Sequence, residues 1–185
     1  MIDLSKDLPN TITVDGKSYL VKTDFRDWLK FSYSLNNKEL SLEDIEQMFV
    51  NRMPQCDFVD EFVEFYNNPN PIPNYKHSGN ERVTDYLVDS EFIYASFLNC
   101  YGIDLCDPNL KLHWHQFKAL LLGLPDESKY KQILAMRCAD LKDSKKKPED
   151  IARENKQAWA LPMSTKDKID EEEIERELQE LFYNC

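Results

Sequence analysis

Glycine is scarce in this sequence, with only four residues among 185, at positions 16, 79, 102 and 123. Phosphate-binding loops, nucleophile elbows and dinucleotide-binding turns each need several glycines at fixed offsets. The four glycines present are far apart in the chain. The sequence therefore excludes the common kinds of nucleotide enzyme.

Paired cysteines and long apolar runs are also lacking. The five cysteines form no CxxC pair, and their odd number favours reduced thiols over a disulfide framework. The longest uncharged run, residues 92–103, is shorter than the roughly 20 residues that span a bilayer. The N-terminus, MIDLSKDLPN, has no basic stretch followed by an apolar run, so we expect no secretory signal. These features predict a protein of the cytoplasm without a membrane partner.

Basic residues are outnumbered, with 23 Lys and Arg against 34 Asp and Glu and a net charge of −11. The charge is −10 over residues 1–110, +4 over 111–164 and −5 over 165–185. An acidic protein repels phosphate backbones, so nucleic acid is not an expected partner. We interpret the lysine run at 145–147 as a solvated loop, and a local contact with an acidic partner is the alternative.

The pattern of apolar residues predicts a mainly α protein. Apolar residues make up 42% of the chain and aromatic residues 12%, which is enough for a core. Asp15-Gly16 stands between two alternating segments and predicts a β-hairpin with a type I′ turn, in which Ile12 faces Tyr19. After Asp24 the apolar period changes from two to about 3.6. We therefore expect a compact helical domain of about seven to eight helices with a short N-terminal β-hairpin, its apolar face lying on a helix.

The predicted helices follow the caps and breakers of the sequence. Ser41 with Asp44 opens the second helix and Pro54 ends it, while Gly102 ends the fourth. The predicted spans are 24–36, 42–53, a helix starting at 57, 81–101, 111–122, 124–142, 148–160 and 165–182. The side chains predicted to face inward are Phe25, Trp28, Leu29, Tyr33 and Leu35 in the first helix, Phe58, Phe62 and Phe65 in the third, most of residues 92–101 in the fourth, Trp114, Phe117 and Leu120 to Leu122 in the fifth, and Tyr130, Ile133, Leu134, Met136 or Arg137, and Leu141 in the sixth.

Composition divides the chain into four segments. Residues 1–66 hold the hairpin and the first helices, 67–80 form a loop rich in proline and asparagine, 81–162 form a helical core, and 163–185 form an acidic amphipathic helix. We expect one globular unit, because 66 residues hold only a small core. Two subdomains separated by the loop are the alternative. The acidic helix either docks on the body or is presented to a partner.

One group of residues has metal-binding side chains, namely Cys100, Cys106, His113 and His115. Structural zinc sites normally supply two close pairs of ligands from short loops. The two cysteines are six positions apart, and alternate histidines on one helix would point about 200° apart. We therefore expect neither a metal site nor a bound cofactor here.

The candidate catalytic residues are equally unconvincing. Asp57, Asp60, Glu61 and Glu64 have the spacing of one helix face, but that face is opposite to the predicted phenylalanine face and indicates solvated charge. His77 lies in the proline-rich loop, and no serine or cysteine stands in a glycine-flanked turn. We expect no catalytic residue and no enzymatic activity.

Several blocks in the second half of the chain resemble a known family. They are Ile93-Tyr94-Ala95-Ser96-Phe97, Tyr101-Gly102-Ile103-Asp104-Leu105, Leu112-His113-Trp114, Phe117, Ala119 to Leu124, Met136-Arg137 and Lys156 to Pro162. This pattern is similar to the bacteriophage "gene product fifteen" family of tail-module proteins from siphophages and prophages. The resemblance runs from about residue 85 to 162, and the hairpin before an aromatic helix agrees with it. One departure is His115, which stands where the family pattern has a second aromatic residue.

The resemblance implies a role in tail assembly. The family is known mainly by its gene position, between the tail tube protein and the tape measure protein. Proteins in that position are usually chaperones that coat the tape measure and are absent from the finished virion. The resemblance thus implies a non-enzymatic chaperone in the host bacterial cytoplasm, with the tape measure and the tail tube protein as partners. The alternative is a structural tail or neck component that is retained in the virion. Whether the chain forms a homo-oligomer is left open by the resemblance.

A third hypothesis, a metal-assisted enzyme that uses the Cys/His group, predicts stoichiometric zinc.

Overall fold

The structure, a computed structural model, describes residues 4–37, 39–67, 84–138 and 149–161, together with Arg176 and Gln179. In this part of the chain the elements are, in order, β1 (Thr11–Val14), β2 (Lys17–Leu20), α1 (Phe25–Asn37), α2 (Leu42–Glu46), α3 (Val59–Asn67), α4 (Ser90–Tyr101), α5 (Trp114–Leu122), α6 (Lys129–Cys138) and α7 (Glu149–Trp159). The mainly α class with a short N-terminal hairpin is confirmed. None of the helices described is both long and apolar enough to pass through a bilayer.

The described residues fall into two compact units. Unit 1 contains the described residues 4–37, 39–67, Lys111–Ala119, Arg176 and Gln179, and unit 2 contains 84–110, 120–138 and 149–161. The boundary falls inside α5, so the first part of this helix belongs with elements that precede it by about 50 residues in the chain. The predicted loop at 67–80 lies outside the described residues beyond Asn67, as does the predicted acidic helix apart from Arg176 and Gln179.

The N-terminal hairpin has the predicted register. Ile12 pairs with Tyr19, and the turn residues Asp15 and Gly16 have φ values of 50° and 73°, as a type I′ turn requires. Ile12 and Val14 are buried on the face of β1 that packs against α3. The outcome agrees with the expectation that the hairpin needs a helix beneath it.

The second predicted helix is shorter than expected. Its start is confirmed, since Ser41 and Asp44 form a complete capping box. The predicted end at Pro54 is wrong, because α2 stops at Glu46. The following residues instead pair with the open edge of the hairpin, where Val50 N donates to Leu20 O at 3.0 Å. Sheet hydrogen bonds formed at a distance in sequence therefore override the local helical pattern.

Helices α1 and α3 form the aromatic core of unit 1. Phe58, Phe62 and Phe65 are buried as predicted. In α1 the buried residues are Phe25, Trp28, Phe31, Ser32 and Leu35. The prediction for Tyr33 is wrong, since its side chain is 45% exposed, and Leu29 is only half-buried. Phe31 takes the inward place because it is three residues from Trp28, whereas Tyr33 points to the opposite side.

The segment before α5 joins this core through the backbone. Trp114 N donates to Thr23 O at 2.7 Å, and Phe25 N donates to Leu112 O at 3.0 Å. Trp114 and Phe117 are buried, and the Phe117 ring stacks on Phe25 with centroids 5.1 Å apart. The predicted core role of these two aromatic residues is confirmed. Of the predicted core residues 120–122, Leu121 is buried and Leu120 is partly buried, whereas the prediction for Leu122 is wrong because its side chain is 49% exposed.

Unit 2 is built on α4, α6 and α7. Gly102 ends α4 in the left-handed conformation, with φ 68°, as predicted. The predicted start at residue 81 is wrong, because described residues 84–89 precede the helix as a turn. Residues 92–101 are not buried on most sides as expected, since only Ile93, Ser96 and Phe97 are buried among them. Of the two alternatives left open for α6, Arg137 is the buried residue.

Candidate functional site

Titratable side chains gather where α5 meets the end of α3 in unit 1. The last carbonyls of a helix have no partner inside the helix and need donors from elsewhere. Here α5 supplies three: Trp114 Nε1 donates to Tyr66 O at 2.9 Å, Lys118 Nζ donates to the same oxygen, and His115 Nε2 donates to Phe65 O at 2.7 Å. The three side chains cap the C-terminal end of α3.

The hydrogen bonds of His115 fix its protonation state. A carbonyl oxygen only accepts, so the proton of the neutral ring lies on Nε2, facing Phe65. Nδ1 is then a buried acceptor that has no hydrogen-bond partner in the described part of the chain. Burial is the main cause that lowers the pKa of His115 to about 4. The hydrogen bond to Phe65 opposes this shift, and the nearby His113 and Lys118 add to it. His115 is therefore neutral at pH 7.

His113 lies just before α5 and caps it. Its Nδ1 accepts from His115 N at 3.0 Å, and its Nε2 donates to Pro9 O at 2.9 Å. Burial lowers the pKa of this histidine as well. The prediction that His113 and His115 point apart is wrong: their ring centroids are 4.9 Å apart, because the helix begins only at Trp114 and His113 folds back over it.

Lys118 has a cation surrounded by aromatic rings. Its Nζ lies 4.9 Å from the centroid of the Trp114 ring and 5.6 Å from that of Tyr66. Ring faces attract a cation, as does the C-terminal end of α3, but burial is the larger effect and lowers the pKa of Lys118 to about 7. Burial therefore makes this amine much easier to deprotonate than an exposed lysine.

Unit 2 contains a buried ion pair. Arg137 forms two hydrogen bonds with the Asp89 carboxylate, at 2.8 and 2.7 Å, and both side chains are at least nine-tenths buried. Arg137 Nε also donates to Trp159 O at 2.7 Å, and Asp89 accepts from Asp85 N at 3.0 Å. The pair connects the start of α4, the end of α6 and the end of α7. Because the two charges neutralise one another, we assign the pair a structural role.

The remaining candidates from the sequence are dispersed. Cys100 and Cys106 belong to unit 2 and both histidines to unit 1, and no group of three His, Cys, Asp or Glu side chains in the described residues is arranged to hold a metal ion. Asp57, Asp60 and Glu64 are exposed, as solvated charges should be, and Glu61 is half-buried. His77 and the lysine run at 145–147 lie outside the described residues.

Sequence reasoning missed the roles of Lys118, Asp89 and Arg137. Tyr130, Ile133 and Arg137 follow one another at spacings of three and four and so share one face, and a charge on that buried face was a signal of a buried partner. No comparable signal identified Asp89, which is 48 positions away. The role of Lys118 could not be predicted, because the Tyr66 carbonyl that it contacts is in α3, which is distant in sequence.

The blocks that place these residues belong to one sequence family. The family described as "Bacteriophage Gp15 protein" matches the chain over residues 4–161. This chain belongs to the bacteriophage Gp15 family. No curated protein and no solved structure matches it.

The Gp15 match is wider than the blocks from residue 85 onward indicated, since it includes the hairpin, α1 and α3. Both the capped end of α3 and the Asp89–Arg137 pair therefore lie within the Gp15 region. Membership indicates a structural or assembly protein of a bacteriophage. The titratable groups of both sites bond to backbone carbonyls or to one another, and this arrangement organises the fold.

Proposed function

We propose that this protein is a non-enzymatic tail assembly chaperone, which binds the tape measure protein in the host cytoplasm and leaves before the virion is complete. The observation that carries the proposal is the Gp15 family match over residues 4–161. The gene position implied for this family, between the tail tube and the tape measure, supports a role in the step that joins those two proteins.

The chemistry of the described residues agrees with a binding role. The buried titratable groups stabilise helix ends and helix contacts, as Lys118 does at Tyr66 and Arg137 does at Asp89. A chaperone for a long helical protein must cover apolar helix faces, and helix-in-groove contacts are the usual means. An acidic net charge of −11 keeps such a protein soluble while it carries that partner.

Copurification combined with virion analysis tests the proposal. The tagged full-length chain is expressed with the tape measure protein, and separately with the tail tube protein, and each complex is isolated. We expect the tape measure to copurify, and we expect mass spectrometry of purified virions to find no peptides from this chain. A fixed copy number in mature particles would instead support a tail or neck component, and failure to retain the tape measure would overturn the proposal.

A further inference from the structure

Helix α4 has an exposed face that carries large apolar side chains. Glu91, Tyr94 and Leu98 follow one another at spacings of three and four and so share one side of the helix. Leu98 is 42% exposed and Tyr94 is partly exposed. Leu87, in the turn that precedes α4, is 59% exposed. We call Leu87, Tyr94 and Leu98 the α4 stripe.

The α4 stripe lies away from the core of unit 2. The buried residues of α4 are Ile93, Ser96 and Phe97, and Ser96 Oγ accepts from Tyr130 N of α6 at 3.3 Å. Surface leucines are common singly, but a row of apolar side chains at helical spacing indicates a contact surface. Within the helix, Tyr94 and Leu98 have the i, i+4 spacing that one helix uses to pack on another.

Acidic residues lie beside the α4 stripe. Residues 84–110 contain five acidic residues and no lysine or arginine. Asp89 is buried and neutralised by Arg137, which leaves Glu91, Asp104 and Asp107 as the exposed acids of this segment. Glu91 lies on the same face of α4 as Tyr94 and Leu98. Asp104 is close enough that its charge raises the pKa of the Tyr94 hydroxyl. The stripe therefore combines apolar contact with negative charge at its edges.

Two cations among the described residues approach α4, and both lie on its other sides. Arg137 is bound to Asp89 at the start of the helix. Lys129 lies over the Trp159 ring, at 5.2 Å from the centroid, and that ring packs on Phe92. Phe92 is two positions from Tyr94, which places it on roughly the opposite side of the helix. These two cations therefore leave the negative charge at the stripe in place.

We propose that the α4 stripe binds an amphipathic helix of another protein whose apolar face is flanked by lysine or arginine. Charge complementarity selects this occupant. A second copy of the chain would bring the same acids to the contact, and residues 165–185 of this chain carry eight acidic residues against three basic ones. The inference deepens the chaperone function and rests on it for the statement that the partner is a tail protein.

A peptide pair tests the chemistry of the surface. Two designed helical peptides share one leucine stripe, and their remaining positions carry mainly lysine in one and mainly glutamate in the other. Binding of each fluorescein-labelled peptide to the full-length chain is measured by fluorescence anisotropy. We expect the lysine peptide alone to bind, with an affinity that falls as NaCl increases. Equal binding of the glutamate peptide would overturn the proposal.

Matched variants test the location of the surface. Leu98→Lys should lower the affinity for the lysine peptide at least tenfold. Leu20→Lys makes the same charge change at a leucine of unit 1 that is 40% exposed, and should leave the affinity within about twofold of the original protein. Thermal unfolding followed by circular dichroism checks that both variants are folded. The double variant Glu91→Gln with Asp104→Asn removes two negative charges beside the stripe and should cause an intermediate loss of affinity for the lysine peptide. Equal losses in the two leucine variants, or none in Leu98→Lys, would contradict the assignment.

The same variants separate this inference from the chaperone function. If the tape measure copurifies equally with the original protein and with Leu98→Lys, the chaperone function stands and the α4 stripe is wrong. If the lysine peptide binds through Leu98 but the tape measure is not retained, the binding surface stands and the chaperone function fails.

Discussion

His115 makes the protein sensitive to acid. In the folded protein its pKa is about 4, below the ordinary value of 6.5, because the ring is buried beside Phe65. Between these two pH values His115 is protonated in the unfolded chain but not in the folded chain. The contribution of neutral His115 to the free energy of unfolding is therefore fully present above pH 6.5 and is lost as the pH falls towards 4.

Replacing His115 by glutamine tests this sensitivity. Gln keeps an N–H donor for Phe65 O but does not titrate in this range. We expect the free energy of unfolding of His115→Gln to fall less than that of the original protein between pH 7 and pH 4.5, as measured by urea denaturation. The comparison at pH 8, where both side chains are neutral, gives the cost of the altered packing alone. Parallel losses in both proteins would show that His115 does not contribute.

Arg137 holds the only charge that neutralises Asp89 among the described side chains bonded to it. Arg137→Met should therefore leave a buried carboxylate without its counter-ion and lower the free energy of unfolding by about 3–5 kcal/mol. The double variant Asp89→Leu with Arg137→Met removes both charges and should be more stable than Arg137→Met alone. Urea denaturation of the two single variants and the double variant measures the coupling. Additive losses would contradict a direct pair.

At the scale of elements, Gly102 determines where α4 ends. Its φ is 68°, and a methyl group added at its Cα would meet no atom within 4 Å. The cost of Gly102→Ala therefore comes from the backbone alone, about 1–2 kcal/mol. Gly102→Asn should cost less, because asparagine tolerates the left-handed conformation better. Thermal unfolding of both variants measures the order. Asn99→Ala, at an exposed position of α4, is the control and should be slightly stabilising, because alanine has the higher helix propensity. A smaller cost for Ala than for Asn would contradict this explanation.

Elements were predictable where local signals decide them. The Asp15-Gly16 turn, the Ser41–Asp44 capping box and the glycine end of α4 all follow from nearby residues. The end of α2 did not follow, because residues 48–50 pair with β2 instead of extending the helix. The start of α4 was placed too early because the Asp89–Arg137 pair fixes it across 48 positions.

The candidate site was less predictable than the fold for the same reason. The two histidines at 113 and 115 could be recognised in the sequence as candidate ligands. Their roles, however, depend on distant carbonyls: His115 bonds to Phe65, 50 positions away, and His113 bonds to Pro9, 104 positions away. A pattern of spacing within one helix carries no information about which carbonyls lie opposite. The exposed side of α4 could not be recognised from composition, since residues 92–103 contain no charged residue that would mark a solvent-facing side.

At the scale of the whole molecule, unit 1 is discontinuous in sequence. A fragment of residues 1–72 lacks Trp114 and Phe117, which stack on Trp28 and Phe25, and lacks the donors that cap α3. We expect this fragment to show no cooperative unfolding transition and poorly dispersed amide signals in NMR, whereas the full-length chain shows both cooperative unfolding and dispersed signals. A well-folded fragment would show that the α5 contacts are dispensable.

This discontinuity also constrains the order of events during synthesis. When α1 and α3 have left the ribosome, the rings of Trp28 and Phe65 lack their contacts with Trp114 and His115, because those two residues are still to be translated. The nascent chain must keep these aromatic faces out of contact with other chains until about residue 119 leaves the exit tunnel. A pause in translation between α3 and α5 would lengthen that interval, and aggregation on the ribosome is the hazard it would increase.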